Sequence, residues 1–165
     1  MGTNCNKKSK KIFRKYKKLK YQLENISEHI NYDEAIKSQV AKNYGIDNTP
    51  SSEQLENMRR VAKECFEPIR IFVGKKIYIS SFYRCEKLNQ LVGGVDNSNH
   101  LYGYAIDMAI TIYGGKTNEE VFEWAKENID FDELLWEGGF DGWIHIAYKS
   151  KEKNRHHVGT IPNPK

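Results

Sequence analysis

Apolar residues recur at the spacing of an amphipathic helix along two stretches in the first half of the chain. The first stretch spans residues 33–44 and stops at Gly45, a residue type that commonly terminates helices. In the second stretch, Ser51 and Gln54 have the spacing of a capping box. The apolar stripe that follows consists of Leu55, Met58, Val61, Ala62, Cys65, Phe66 and Ile69. Pro68 is expected to kink this second helix near its end.

The second half of the chain contains stretches with the β-branched and aromatic composition of strands. Residues 77–80 and 105–112 predict two strands. Residues 133–137 and 143–148 predict a β-hairpin around the turn sequence GGFDG. From Lys149 onward the chain is polar and ends in a proline-containing segment, which we expect to be coil.

Two further helices are predicted between these strands. A short one covers residues 86–92, and a longer one starts at Thr117 and Glu120, which have capping-box spacing, and runs to Asn128. Helices that come first, followed mainly by strands, indicate an α+β fold. We expect a single compact domain, with the N-terminal helices packed on a small central antiparallel sheet.

Charge divides the chain unevenly. The whole protein has a formal net charge of +4, but residues 1–20 contain nine basic residues and no acidic one. The basic residues are Lys7, Lys8, Lys10, Lys11, Arg14, Lys15, Lys17, Lys18 and Lys20. The rest of the chain retains 17 of the 26 basic residues and all 22 acidic ones, a net charge of −5. We therefore assign residues 1–22 to a basic arm, 23–150 to the folded domain and 151–165 to a polar tail.

A basic arm of this kind can contact an anionic cell wall, a membrane surface or nucleic acid, or it is simply a solvated extension. Residues 21–165 carry no recognised nucleic-acid motif, so we expect no specific nucleic-acid binding. The sequence has no apolar run of about 18 residues that would span a membrane. No apolar segment follows the N-terminal basic residues, so we also expect no secretory signal peptide.

The three cysteines do not form a recognisable framework. Cys5, Cys65 and Cys85 are odd in number and contain no CxxC pair, which argues against disulfides and against a thiolate zinc cluster. Cys65 lies on the apolar helical stripe and is expected to pack as a small hydrophobe. Cys85 follows Arg84 and is a nucleophile candidate, although no base is predicted beside it.

Two histidines and one aspartate are candidate metal ligands. His100 lies in a polar loop, and Asp107 lies on the predicted strand that follows it. In the sequence WIHIAY, alternation places His145 on the opposite face from its two isoleucine neighbours. Two imidazoles and one carboxylate are sufficient for a catalytic zinc site, because such sites leave one position to water. Taken alone, each of these residue types more often has a structural role, as a hydrogen-bonded histidine or as an aspartate that caps a turn or forms a salt bridge.

A hydrolytic metal site also needs a general base and groups that bind the substrate. Glu137, at the end of the predicted strand before the GGFDG turn, is the favoured base, and Asp141 in the turn is the alternative. Arg84 could hold a substrate carboxylate or stabilise an oxyanion. Ser98 could donate a hydrogen bond to the substrate or cap the loop. His156 and His157 look like surface residues.

The run YRCEKLNQLVGGVDNSNHLYGYAIDM resembles the zinc D-alanyl-D-alanine carboxypeptidase family. That family also includes phage L-alanyl-D-glutamate endopeptidases, and WEGGFDGWIHIAY is similar to the closing W-x-H motif of its phage and prophage branch. The resemblance covers about residues 27–150. It implies that zinc is held by three residues, that Arg84 contacts the substrate and that Ser98 helps to position it. The three implied ligands are His100, Asp107 and His145.

Four positions depart from the family pattern. Phe82 stands where glycine is usual, Cys85 where serine is common, and Asn99 where glutamine is frequent. Many relatives place the catalytic acid three residues before the last histidine, and here that position is Gly142. The W-x-H branch instead has a glutamate before a short turn, which favours Glu137 over Asp141.

The resemblance implies a zinc-dependent metallopeptidase that hydrolyses a peptide bond next to a D-amino acid in peptidoglycan stem peptides. We expect a monomer with one Zn²⁺ ion, acting as a carboxypeptidase or an endopeptidase. The basic arm fits a phage endolysin or a virion-associated enzyme. An endolysin would be held in the host cytoplasm until it is released to the cell wall. The alternative is a catalytically inactive, zinc-containing module that binds the cell wall or has a structural role.

Overall fold

The computed structural model describes residues 25–162, so the predicted basic arm, residues 1–22, and Cys5 lie outside the described part of the chain. The domain contains α-helices and one sheet, which confirms the predicted α+β class, and the sheet has five strands, one more than the sequence predicts. The α-helices are α1 Tyr32–Ile36, α2 Gln39–Asn43, α3 Ser52–Val61, α4 Glu67–Val73, α5 Glu86–Leu91 and α6 Asn118–Asn128. The strands are β1 Tyr78–Ser81, β2 Ala105–Ala109, β3 Glu133–Glu137, β4 Trp143–Ala147 and β5 His157–Ile161.

The first predicted helix is divided into two. At Lys37 the backbone turns to an extended conformation (φ −62°, ψ 129°), which ends α1 after Ile36. Ser38 then caps α2 by accepting a hydrogen bond from the backbone N–H of Ala41. The helical spacing over residues 33–44 therefore corresponds to two single-turn helices instead of one continuous helix. The segment between them lines a neighbouring cavity.

The second predicted helix forms with the expected start. Ser51 and Gln54 make the reciprocal hydrogen bonds of a capping box. Residues 62–66 widen into a π-helical turn, and α4 starts directly after it with Pro68 in its first turn. A proline there lacks a backbone donor and would clash with the carbonyl four residues earlier, so widening of the preceding turn accommodates it without breaking the helix.

The strands lie in the order β1-β2-β4-β3-β5. Neighbouring strands are antiparallel except for β3 and β5, which are parallel. The predicted hairpin of β3 and β4 is confirmed, with Leu135 opposite His145. Strand β2 ends at Ala109, earlier than predicted, because residues 110–113 form a 3₁₀ turn.

The prediction of coil after Lys149 is wrong for residues 157–161, which form β5 at the edge of the sheet. Ion pairs of Asp132, which is fully buried just before β3, hold the C-terminal segment beside that strand. Its carboxylate accepts two hydrogen bonds from the Arg155 guanidinium, at 2.7 and 2.8 Å, and lies 3.0 Å from Nζ of Lys149. A buried carboxylate needs such partners, and their positions bring the following residues alongside β3.

The two faces of the sheet have different roles. One face packs the hydrophobic core against the helices, with fully buried residues that include Ile106, Met108, Leu134, Ile144 and Ile146. Because side chains alternate along each strand, the residues between them point to the other face. That face carries Asp107 and His145 and lines an open cleft. Among residues 25–162, no helix is long and apolar enough to cross a membrane.

The ion pairs of Asp132 predict a specific pH dependence of stability. Burial raises the pKa of this carboxyl, but the hydrogen bonds and charges of Arg155 and Lys149 outweigh it and lower the pKa below its usual value. The pairing should therefore stabilise the protein fully above about pH 4, which is the pKa of aspartate in unfolded chains. This stabilisation should be lost as the pH falls further.

Asp132→Asn should lower the free energy of unfolding by about 1–3 kcal/mol at pH 7. Its stability should also fall less than that of the wild type between pH 4 and pH 2. Urea unfolding at the two ends of the range would measure both effects, with the exposed Glu127→Gln as a charge-matched control. Equal pH dependence in the wild type and Asp132→Asn would contradict this account.

Candidate metal centre

Three side chains on different elements converge on the open face of the sheet. His100 lies on a 3₁₀ turn, Asn99–Tyr102, whereas Asp107 lies on β2 and His145 on β4. Asp107 and His145 are direct partners in the β2–β4 register, so the sheet itself sets their separation. All three residues are buried, with exposed fractions of 1% for His100, 8% for Asp107 and 7% for His145.

The donor atoms are close enough to share one ion. Nε2 of His100 lies 3.2 Å from Oδ1 of Asp107 and 3.3 Å from Nδ1 of His145, and that Nδ1 lies 2.7 Å from Oδ1 of Asp107. In a tetrahedral zinc site, metal–nitrogen bonds of about 2.0–2.1 Å put neighbouring donor atoms about 3.3 Å apart. The residues therefore fit a single metal ion, with chemistry suited to zinc.

Each histidine is oriented by a contact on its outer side. Nδ1 of His100 lies 2.6 Å from the backbone carbonyl of Phe82, so an N–H there leaves Nε2 as a free donor atom for a metal. Nε2 of His145 lies 3.6 Å from Oε1 of Glu133, which leaves its Nδ1 facing Asp107. Outer contacts of this type fix the tautomer and ring orientation of metal-binding histidines.

The electrostatics of the cluster favour a positive charge at its centre. Burial raises the pKa of Asp107, but the adjacent His100 and His145 outweigh it and hold the pKa far below the usual value. Burial lowers the pKa of His145, whereas the hydrogen bond to Asp107 and the nearby Glu133 carboxylate raise it to about 9. The nearby imidazole of His145 in turn lowers the pKa of Glu133 to about 2. The carboxylates are therefore ionised and attract a cation.

Contacts with helix α3 hold the loop that carries His100. The Gln54 side chain donates to the carbonyl of Leu101 at 2.9 Å, and the Asn57 side chain donates to the carbonyl of Tyr102 at 2.9 Å. Gly103 has a positive φ of 71°, and an added Cβ would lie only 2.5 Å from the backbone oxygen of Gln54. Only glycine permits this close approach of the loop to the helix.

Ser98 and Arg84, the two predicted substrate-binding residues, line the cleft beside the cluster. Ser98 is buried and caps the 3₁₀ turn by accepting a 3.4 Å hydrogen bond from the backbone N–H of His100. Arg84 is half-buried, and its backbone N–H donates to the carbonyl of His100. Its Nε is buried and has no hydrogen-bond partner among residues 25–162, so it is available to a bound anion.

The environment of Arg84 lowers the pKa of its guanidinium, but the side chain remains charged. Burial lowers the pKa of the guanidinium, and the charges of Asp107 and Glu137 act in the opposite direction. An arginine stays charged in proteins under such conditions. A substrate carboxylate or a developing oxyanion would therefore meet a cation with an unused donor.

The two candidate bases occupy different positions. Glu137 is half-buried at the end of β3, and strand alternation puts it on the face that carries His145. Burial, followed by the charge of Asp107, raises its pKa above the ordinary value of a glutamate. Asp141 is exposed on the 3₁₀ turn Gly139–Asp141. The cleft is lined by Glu137 and not by Asp141.

The structure explains why glycine occupies position 142. An added Cβ there would lie 1.7 Å from the backbone oxygen of Glu137, closer than any side chain can approach. The Asn118 side chain holds this tight turn by donating to the carbonyls of Phe140 and Gly142. The turn therefore excludes an acidic side chain at position 142.

The cluster opens into a cleft of about 550 Å³. Besides the three candidate ligands, its lining includes Arg84, Ser98, Glu133, Glu137, Trp143, Lys149, Arg155 and Ile161. Sequence reasoning missed the parts played by Glu133 and by the Phe82 carbonyl. Strand alternation could have placed Glu133 on the face of Glu137, but its distance to His145 depends on strand pairing.

The other histidines and cysteines within residues 25–162 are not part of the candidate ligand set. His156 and His157 are exposed, as expected, and Nδ1 of His157 lies 3.1 Å from Oε2 of Glu133. Cys65 is fully buried in the core, and burial raises its thiol pKa well above the usual value. Cys85 is partly buried at the start of α5 and is a free thiol.

A buried set of two imidazoles and one carboxylate, facing an open cleft, is the arrangement of a metal-dependent hydrolase. The chain matches the family model described as Peptidase M15 over residues 28–147. It therefore belongs to this family of D-Ala-D-Ala carboxypeptidase-like metallopeptidases, which confirms the resemblance at the level of the family. A comparison with curated proteins gave no match.

The outer contact of His145 predicts how zinc affinity responds to mutation. Glu133→Gln removes the charge that orients the imidazole, and should weaken zinc binding by about 10–100-fold. His145→Ala removes a ligand and should weaken it much further. Competition with a chelating dye would measure both affinities, with Glu127→Gln as the control. An unchanged affinity in Glu133→Gln would show that this carboxylate does not support the metal site.

Proposed function

We propose that the protein is a zinc-dependent peptidase that hydrolyses a peptide bond in bacterial peptidoglycan, next to a D-amino acid. The observation that carries the proposal is the convergence of His100, Asp107 and His145 at the cleft of an M15 family domain. Two neutral histidines and one aspartate would leave a bound Zn²⁺ with a net charge of +1, which favours a substrate that carries negative charge. Peptidoglycan stem peptides contain such carboxylates.

When bound, zinc would polarise the scissile carbonyl and lower the pKa of a water molecule. Glu137 would accept the proton of that water and return it to the leaving amine. Its half-buried position supports this role, because burial raises its pKa towards the range in which a carboxylate both takes up and releases a proton. Asp141 is the less favourable candidate, since it is exposed and does not line the cleft.

Arg84 and Ser98 would bind and orient the substrate. The buried, unpartnered Nε of Arg84 would donate to a substrate carboxylate or to the oxygen that becomes negative as the carbonyl is attacked. The Ser98 oxygen already accepts the backbone N–H of His100, so its hydroxyl hydrogen remains available to a substrate oxygen. Trp143, at the rim, would cover an apolar part of the peptide.

The biological setting that we propose is lysis of a bacterial wall by a phage endolysin or a virion-associated enzyme. The protein would remain in the host cytoplasm until it reached the wall. The nine basic residues in positions 1–20 support this, since the wall and membrane surfaces of bacteria are anionic.

Digestion of purified peptidoglycan should test both the proposed peptidase activity and the assignment of Glu137 as the general base. The zinc-loaded protein should release peptide fragments detectable by mass spectrometry, and a chelator should abolish the release. Glu137→Gln should reduce the rate by at least about 10²-fold, because the proton acceptor is lost. Asp141→Asn, the matched control, should retain a rate within about threefold of the wild type.

The outcomes separate the alternatives. A large loss in Asp141→Asn with a normal rate in Glu137→Gln would reverse the assignment of the base. Zinc binding without any released product would favour the inactive wall-binding module.

The basic arm predicts salt-sensitive binding to the wall. Wild-type binding to sedimented peptidoglycan should weaken as sodium chloride rises from 0.05 to 0.5 M, because salt screens the charges; these concentrations span Debye lengths of roughly 14 to 4 Å. Replacing the nine basic residues with glutamine should remove most of this dependence. A control chain would carry glutamine at the exposed Lys151 and Lys153. An unchanged salt dependence in the nine-residue variant would contradict the proposed role of the arm.

A further inference from the structure

A second cavity, of about 400 Å³, adjoins the cleft at the β1 edge of the sheet. We call it the β1-end cavity. It is lined by β1 and by the segment that joins α1 to α2. Arg84, Val92, Asp107 and Trp143 line both this cavity and the metal-site cleft, so the two cavities are adjacent. We call the two together the groove. Asp107, one of the candidate ligands, lies at their shared boundary.

The β1-end cavity has a positive electrostatic character. Lys37 and Arg84 contribute cations to its lining, and Asp107 is the single carboxylate among its described lining residues. Asp107 belongs to the metal cluster, so its charge would be compensated when an ion is bound. The other end of the groove differs, because two carboxylates lie there beside two cations: Glu133, Glu137, Lys149 and Arg155.

The two cations of the β1-end cavity have unused capacity for an anion. Lys37 is exposed at the extended residue between α1 and α2, and it forms no ion pair within residues 25–162. Arg84 has the buried Nε without a partner. Polar side chains of β1 accompany them in the lining, including Tyr78, Ser80 and Ser81. The Ser80 hydroxyl already donates to the backbone carbonyl of Asp107 at 3.3 Å, so the unused donors that a carboxylate would meet here are those of Lys37 and Arg84.

We propose that the β1-end cavity is a second substrate subsite, in which Lys37 binds a carboxylate of the peptide on one side of the scissile bond. The inference rests on the proposed peptidase function and extends it. The groove accommodates peptide on both sides of the metal centre. The carboxylate is either the terminal carboxylate, which corresponds to release of the last residue, or an internal one, which corresponds to cleavage within the stem.

The test measures peptide binding by titration calorimetry, with every chain zinc-loaded and carrying Glu137→Gln to prevent turnover. The probe is the stem pentapeptide L-Ala-γ-D-Glu-L-Lys-D-Ala-D-Ala, which has one internal and one terminal carboxylate. In two further probes, an amide replaces either the internal or the terminal carboxylate. Lys37→Gln should weaken binding of the unmodified peptide by roughly two- to fivefold, because Lys37 is exposed and solvent screens its ion pair.

Amidation of the recognised carboxylate should weaken binding at least as much as Lys37→Gln does, and Lys37→Gln should cause no additional loss with the amidated peptide. Such non-additivity is the signature of a direct pair. The amidated probe that shows it identifies the carboxylate as terminal or internal. The matched control is Lys42→Gln, an exposed lysine on α2 that does not line the β1-end cavity.

Full additivity of Lys37→Gln with both amidations, or an equal effect of Lys42→Gln, would overturn the subsite. The proposed function is judged separately, by hydrolysis of peptidoglycan with wild-type protein. If the protein hydrolyses peptidoglycan but Lys37→Gln has no effect on peptide binding, the subsite proposal is wrong and the peptidase proposal stands. If the protein shows no hydrolysis and no peptide binding, both proposals are wrong.

Discussion

The register between β2 and β4 is the constraint on which the candidate metal centre depends. It sets Asp107 directly opposite His145, with their donor atoms 2.7 Å apart. Side chains alternate along a strand, so a slip of one residue would turn one of these groups towards the core and expose an isoleucine. The fully buried Ile106, Ile144 and Ile146 resist that slip, because they pack against the helices. Hydrophobic packing on one face thus fixes polar geometry on the other.

The third candidate ligand depends on contacts outside the sheet. His100 lies on a short turn that has little stability of its own, and α3 holds the residues after it through Gln54 and Asn57. The Phe82 carbonyl then orients its imidazole. The loop before α5 is fixed in turn by Asn48, whose side chain contacts the backbone of Ile36, Tyr83 and Cys85. Buried polar groups that satisfy one another make this region specific, since any one left unpaired would be costly.

The same sheet face also gives the cleft its electrostatic shape. The β5 strand, anchored by the Arg155–Asp132 pair, brings Ile161 to one end of the groove. The segment between α1 and α2 brings Lys37 to the other end. The candidate metal centre therefore lies in a groove whose two ends differ in charge.

By itself, the sequence determined the α+β class, both capping boxes, the hairpin of β3 and β4 and the three candidate ligands. These features follow from local spacing and from residue chemistry. The division of residues 33–44 at Lys37 and the strand at 157–161 were not predictable in this way. At the break, the carbonyls of Ala35 and Ile36 accept hydrogen bonds from the Tyr83 backbone and the Asn48 side chain, and the strand follows the pairing of Arg155 with the buried Asp132. The outer contact of Glu133 with His145 and the steric exclusion at Gly142 likewise exist only once distant strands and turns are brought together.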